Sequence, residues 1–159
     1  MNYQMVKMNE KYAREIINWQ YEGSLSIYNM EDNQESLDEL LSLDYYSVID
    51  VEGNLIGFFC TKEAAIVPYG NTFHVYDKTD YLDIGFGMNP KLIGKGKGYS
   101  LFQFGLNYFK KNYNVNQFRL TVLDFNHKAI HIYNKSGFEF ENQFKSKTGH
   151  TFFVMTLVD

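Results

Sequence analysis

The chain has 159 residues, 45% of them hydrophobic and 21% charged, with fifteen basic and nineteen acidic side chains and a formal net charge of −4. This composition fits one globular domain over 1–159 with its own core and excludes a disordered chain. It contains no Lys/Arg-rich block for nucleic acid, one cysteine and hence no internal disulfide, and no apolar run near the ~20 residues of a membrane span, so a cytoplasmic protein free of nucleic acid and membrane is expected.

Tyr3 to Met8 alternates weakly and predicts a first edge strand, with Asn9 capping a helix through Trp19 whose Tyr12, Ala13, Ile16, Ile17 and Trp19 recur at three- and four-residue steps. Gly23 and Ser24 break that pattern. The aromatic segment from Trp19 to Met30 has no clean period and reads as a loop. Glu31 to Leu43 predicts a second helix, capped by Asp32 or Asn33 and apolar at Leu37, Leu40 and Leu41. Two β-rich runs follow, Tyr45 to Val51 and Leu55 to Thr61, joined by a Glu52-Gly53-Asn54 hairpin turn. Ala64 to Asp80 is a long excursion, a length at which loops are often functional.

Tyr81 to Met88 reads as a buried strand. It meets a bend at Met88-Asn89-Pro90, then glycine at every second position (Gly94, Gly96, Gly98), then a helix opening at Gly94 or Gly96 and running to about Asn112 with Phe102, Leu106 and Phe109 on one face. A strand that delivers a glycine-rich loop onto a helix N-terminus is a device for holding phosphate, because the first-turn N–H groups have no helical acceptors. The nucleotide P-loop does not fit: Asn89 stands where its first glycine belongs and Gly96 where its hydroxyl belongs. The dinucleotide fingerprint fails on spacing, which is Gly-x-Gly-x-Gly here.

Phe118 to Leu123 predicts the next strand, Asn126 caps a helix over 127–135, and Ser136-Gly137 ends it with a left-handed cap. Strands Phe138 to Phe144 and Thr151 to Val158 complete the order β-α-α-β-β-β-α-β-α-β-β, an α/β chain with a mixed sheet.

Ile93-Gly94-Lys95-Gly96-Lys97-Gly98 resembles the pyrophosphate loop of the GNAT superfamily of acyl-CoA-dependent N-acyltransferases, Gln/Arg-x-x-Gly-x-Gly/Ala. It matches at both glycines and departs at Ile93. Leu123 to Phe138 is similar to that family's second cofactor motif, with Asn126, Tyr133 and a closing Gly137-Phe138. The resemblance implies a GNAT-like fold: a central, mostly antiparallel mixed sheet, splayed between its fourth and fifth strands and flanked by about four helices. It also implies acetyl-CoA as cofactor and N-acetyl transfer to a primary amine in a ternary complex.

On that resemblance, the backbone of Gly87, Met88 and Asn89 binds pantetheine, and an amide there faces the thioester oxygen. Ile93, Gly94, Lys95, Gly96, Lys97, Gly98 and Tyr99 form the phosphate cradle, with Asn126 and Tyr133 as further cofactor contacts. Tyr133 is the expected general acid, since a phenol with pKa ~10 is protonated at neutral pH and can donate to a departing thiolate. Asp83, five residues before Met88, is the first candidate base, directly or through water; His74 is the second. An acceptor site between the Trp19–Tyr28 loop and the excursion would draw aromatic rings from Trp19, Tyr21, Tyr28, Tyr69 and Tyr76, and negative charge from Glu22, Asp80 and Asp83. The acceptor would be a small-molecule amine or a peptide, and a homodimer is the general expectation. The rival from another class is a non-catalytic acyl-CoA-binding sensor or interaction module.

Two other chemistries are set aside. Cys60 has no histidine near it in sequence and reads as a buried structural thiol rather than a nucleophile. His127 and His131 have the spacing of a zinc pair, but Lys128 stands where a metalloprotease motif carries its glutamate, so no metal is expected.

Overall fold

A computed structural model describes residues 2–42 and 44–158. Among these residues the order is β1 (Gln4–Lys7), α1 (Glu10–Ile17), α2 (Gln34–Ser42), β2 (Tyr45–Ile49), β3 (Leu55–Thr61), β4 (Leu82–Met88), α3 (Gly98–Tyr113), β5 (Gln117–Leu123), α4 (His127–Lys135), β6 (Glu139–Lys145) and β7 (Thr151–Val158). The strands lie in the order β1-β2-β3-β4-β5-β7-β6. The β4–β5 pair is parallel, with Leu82 opposite Phe118 and Asp83 opposite Arg119. Antiparallel pairing joins β1 to β2, β2 to β3, β5 to β7 and β6 to β7, so the sheet is mixed, as expected.

The chain divides into two compact units, Met1–Cys60 with Phe86–Gly105, and Thr61–Gly85 with Leu106–Asp159; β4 and α3 each contribute residues to both. In the first unit, Asn9 caps α1 by accepting the Tyr12 N–H at 2.9 Å, and the periodic face buries Ala13, Ile16 and Ile17 against Leu37, Leu40 and Leu55. A second cluster centres on Phe59, whose ring stacks on Phe86 at 5.0 Å and Phe102 at 6.3 Å between centroids. Glycines set these distances. A Cβ on Gly105 would stand inside the Phe59 ring, one on Gly87 inside the Phe58 ring, and one on Gly57 2.6 Å from the Gly87 carbonyl oxygen.

In the second unit, the adjacent strands β5, β7 and β6 bury Phe118, Val154 and Phe144, with Val75 and Tyr76 of the excursion packed against them. Arg119, in the middle of β5, is only 3% exposed. A buried guanidinium needs a partner, and the partner is part of the candidate site below.

Several boundaries differ from expectation for local reasons. Helix α1 stops at Ile17 because Asn18 caps it, the Asn18 side chain turning back to the Arg14 carbonyl at 2.8 Å; Trp19 is outside the helix but still buried. The segment expected as a plain loop contains a 3-10 turn over Gly23–Tyr28, entered with Gly23 at φ +61°. Asn33 rather than Asp32 caps α2, through Ser36 N–H at 2.9 Å. Leu41 is 42% exposed, because it lies one step, ~100°, round from buried Leu40. Leu43, the expected end of that helix, lies outside the described residues. The hairpin strand β2 ends at Ile49, and Asp50 closes the turn by accepting the N–H groups of Glu52 and Asn54. The excursion holds two further 3-10 turns, Lys62–Ala65 and Pro68–Phe73.

Candidate active site

The glycine loop begins where β4 is pinned. Asn89 gives its backbone N–H to the Ile56 carbonyl at 2.9 Å and its side-chain amide to the Leu55 carbonyl at 3.1 Å, while its side-chain oxygen accepts the Lys91 N–H at 3.0 Å. With its N–H spent on β3, Asn89 anchors the strand end, which leaves the oxyanion-facing amide expected there to Gly87 or Met88. After a 3-10 turn at Pro90–Leu92, Gly94 and Gly96 take φ +80° and +75°, and α3 starts at Gly98. The helix cannot open at Gly94 or Gly96, as the sequence alone implied, because right-handed helix requires negative φ.

The result is a sixteen-residue helix preceded by Lys97, a residue with no side-chain oxygen to cap it, and with no acidic residue in its first turn. Its N-terminal dipole favours an anion at that end. A Cβ on Gly96 would meet nothing within 4 Å, so the loop surface is open there. Lys95 is exposed beside it; Ile93 and Tyr99 are half-buried. Lys97 is half-buried and lines a cavity that also holds Lys11 and Lys91.

The aromatic segment reaches the same strand end. The Tyr21 hydroxyl donates to the Met88 carbonyl at 2.9 Å, and its backbone N–H donates to the Asn29 side chain at 2.7 Å. Burial, with Tyr28 nearby, pushes the Tyr21 phenol well above its ordinary pKa, so it stays a hydrogen-bond donor at every working pH. Tyr28 meets it edge-on at 6.3 Å between centroids, and Glu22 is exposed at the head of the 3-10 turn. Trp19 is a core residue, 8% exposed and 6.2 Å from the Phe58 ring, and so is not part of an aromatic wall facing solvent. Gly87 serves the close approach of Phe58, a packing reason the sequence did not reveal.

In the second unit, Asp83 carries a fork of hydrogen bonds from Arg119, Nε to Oδ1 at 2.7 Å and Nη2 to Oδ2 at 2.8 Å. Arg119 also donates to the Lys78 carbonyl at 2.9 Å, and the rings of Tyr76 and Tyr81 flank its guanidinium at 5.2 and 5.5 Å. Burial works against the Arg119 charge, but the Asp83 hydrogen bonds and charge outweigh it and raise the guanidinium pKa. A bidentate guanidinium–carboxylate pair is a strong, directional interaction that fixes both partners. Asp83, the first candidate base, is thus engaged by Arg119 through both oxygens.

Tyr76 is likewise core: its hydroxyl bonds Thr121 at 2.7 Å and accepts the Val67 N–H at 3.1 Å, and burial raises its pKa. His74, left-handed at φ +61°, is exposed and sits 3.1 Å from the Asp77 carboxylate. Asp80 accepts from the Gln117 side chain through its carbonyl and carboxylate, and Tyr69 stacks edge-on with Phe73.

Asn126 caps α4 through the Ala129 N–H at 3.4 Å. Tyr133 stands two residues before that helix's last residue and is 6% exposed. Its carbonyl accepts the Phe138 N–H at 3.0 Å, Gly137 takes φ +100° and donates to the Asn134 carbonyl at 3.1 Å, and the Phe138 ring packs on Tyr133 at 6.2 Å. This is a Schellman ending with its hydrophobic contact. The motif that carries Tyr133 thus has a structural function of its own.

The sequence matches the acetyltransferase (GNAT) family over residues 11–138. The chain belongs to the GNAT acetyltransferase family. Solved GNAT structures share its fold: an acetyltransferase from Bacillus anthracis at 16% identity and TM-score 0.75, covering 99% of this chain and 95% of that one. A spermidine N-acetyltransferase chimera from Vibrio cholerae SpeG and hSSAT matches at 23% identity and TM-score 0.72, covering 99% and 96%. Spermidine/spermine N-acetyltransferase SpeG from Vibrio cholerae, in complex with manganese ions, matches at 20% and 0.68, covering 98% and 92%. No curated protein matches the sequence significantly.

Two residues and one contact of this GNAT chain escaped the sequence reading. Arg119 could have been found, since one arginine in the apolar run Phe118 to Leu123 and one acid in Tyr81 to Met88 are the mark of a buried pair. Gly57, in the middle of a strand, was a signal of close backbone approach. The Tyr21 bond to Met88 spans 67 positions and has no local signal.

Proposed function

We propose that the chain is an acyl-CoA-dependent N-acetyltransferase, a single catalytic domain over 1–159 that acylates a primary amine by direct attack. The observation that carries this reading is the pair of left-handed glycines, Gly94 and Gly96, set before a sixteen-residue helix with no acidic residue in its first turn. Their N–H groups and those of Gly98 and Tyr99 would hold the cofactor pyrophosphate, with Lys95 adding charge. Acetyl-CoA, when bound, supplies the activated acetyl thioester. Tyr133 would give its phenolic proton to the leaving sulfur, and Asn126 would contact the cofactor. With Asp83 tied to Arg119, the amine proton would pass to water or to another group.

The acceptor is a small-molecule amine or a peptide N-terminus. Tyr21, Glu22 and Tyr28 offer rings and a carboxylate on one short segment, a chemistry that favours a cation. Polyamines are the first amines to try, because the SpeG neighbours are spermidine acetyltransferases. Asp83's engagement favours a second reading, a non-catalytic acyl-CoA sensor. It is separated from the first by turnover.

At a hundredfold excess over Kd, acetyl-CoA would stabilise the fold by about 2.7 kcal/mol, roughly 5 °C in Tm. Gly96→Ala has steric room, so it should cost only the ~1–2 kcal/mol of a left-handed residue yet lose most of that ligand shift. No shift in the wild type would sink the enzyme and the sensor readings together. If transfer to spermidine is detected, Tyr133→Phe should lower kcat about 10²-fold or more. An unchanged rate would remove Tyr133 as the acid.

A further inference from the structure

Within the first unit, a cavity of about 690 Å³ opens beside the segment that leads into the glycine loop. Its volume is that of a small-molecule site. Lys11, Lys91 and Lys97 line it, on α1, the 3-10 turn and the residue before α3, and none of them makes an ion pair among the described residues. The Tyr12 ring lies 5.6 Å from the Lys11 ammonium. Leu55 and Ile56 give the cavity an apolar side.

Two acids face the same space, Glu15 and Asp50. Asp50 is already spent: it accepts the N–H groups of Glu52 and Asn54 at 3.0 and 2.9 Å and the Asn54 side chain at 3.1 Å. Glu15 is exposed and, like the lysines, makes no ion pair among the described residues. Three ammonium groups, one of them half-buried, face two carboxylates across this cavity, which leaves one positive charge in excess, and the Asp50 oxygens are already taken up by the turn donors. Gly94 and Gly96 do not line this space, and of the residues expected at the cofactor it shares only Asn89 and Lys97.

We propose that this cavity is a second ligand site, taking a small anionic molecule through a phosphate or carboxylate group that the three lysines share. Anion binding at this site does not require acetyl transfer.

The test is a titration of the full chain with inorganic phosphate and, separately, with succinate, followed by residue-resolved amide NMR with and without saturating coenzyme A. The expected result is saturable shifts at Lys11, Asn54 and Lys91 with at least one anion, persisting when coenzyme A is present; which anion binds distinguishes phosphate from carboxylate. A Lys11→Gln, Lys91→Gln double variant, and Lys97→Gln alone, should weaken that binding at least tenfold at unchanged Tm. Shifts confined to Gly94–Gly98, no shifts, or unaltered affinity in both variants would overturn the proposal. Loss of coenzyme A stabilisation in the double variant would also overturn it, by assigning the lysines to the cofactor. A wild type that ignores coenzyme A but binds the anion would remove the enzyme reading and leave this one standing.

Discussion

In the unit that holds residues 86–105, aromatic rings lie against bare backbone: Phe58 over Gly87 and Phe59 over Gly105. In the other unit the central strand β5 buries an arginine, and the surroundings are arranged to hold its charge: Asp83 in a bidentate pair, the Lys78 carbonyl, and two tyrosine rings. One unit depends on the absence of atoms and the other on matched charge. The same glycine economy that seats the rings also leaves the loop at Gly94 and Gly96 open, so packing and ligand access are obtained by one residue type. Matched charge has the opposite effect, holding both Asp83 oxygens in one pair.

The largest effect should come from breaking the charge pair. Arg119→Ala leaves Asp83 without its partner and should cost about 3–5 kcal/mol, whereas replacing both residues by leucine should cost far less. Urea unfolding of the single and double variants reads this directly; equal losses would mean that packing, not charge, holds the second unit.

Next is the glycine side. Gly105→Ala gains up to ~1 kcal/mol of helix propensity but forces the Phe59 ring aside at about 1–3 kcal/mol, so net destabilisation is expected. The penalty should shrink in a Phe59→Leu background. A stabilised Gly105→Ala would show that the ring has room to move.

A smaller effect tests the polar tie in the glycine-built unit. Tyr21→Phe removes the donor to the Met88 carbonyl and should cost about 0.5–1.5 kcal/mol, seen as a lower urea midpoint at an unchanged slope. The smallest is at Asp50. The Asn54 N–H first, then the other turn donors, hold its carboxylate below the usual range. A depressed folded-state pKa adds stability above the unfolded value, near pH 4, that is lost as pH falls through the folded one. Asp50→Asn should therefore lower Tm slightly at pH 7 and remove part of the acid sensitivity below about pH 4. A pH–Tm profile identical to the wild type would show that the turn does not use the charge.

Much of this was legible in the sequence. The eleven-element order, the Asn9 and Asn126 caps, the hairpin at Gly53 and the left-handed Gly137 ending all follow from residues within a few positions of each other, where period and cap chemistry act. The glycine loop was recognisable for the same reason, and GNAT family membership with it. Less was legible where a residue type is common to several roles. Asp83, Trp19 and Tyr76 were all reasonable site residues by type, yet each is occupied by a neighbour far away in sequence.

The division has a physical reason. Backbone sterics and hydrogen-bond capping are decided within four or five residues, so the sequence by itself determined which segments are strands and helices, where α4 is capped, and that the three glycines precede a helix. Burial, ion pairing and ring contact depend on what arrives from elsewhere in the chain. Only the tertiary structure decided that Asp83 is held by Arg119, that Asn89 spends its N–H on Ile56, that Tyr21 ties to Met88, and that Lys97 shares a cavity with Lys11 and Lys91.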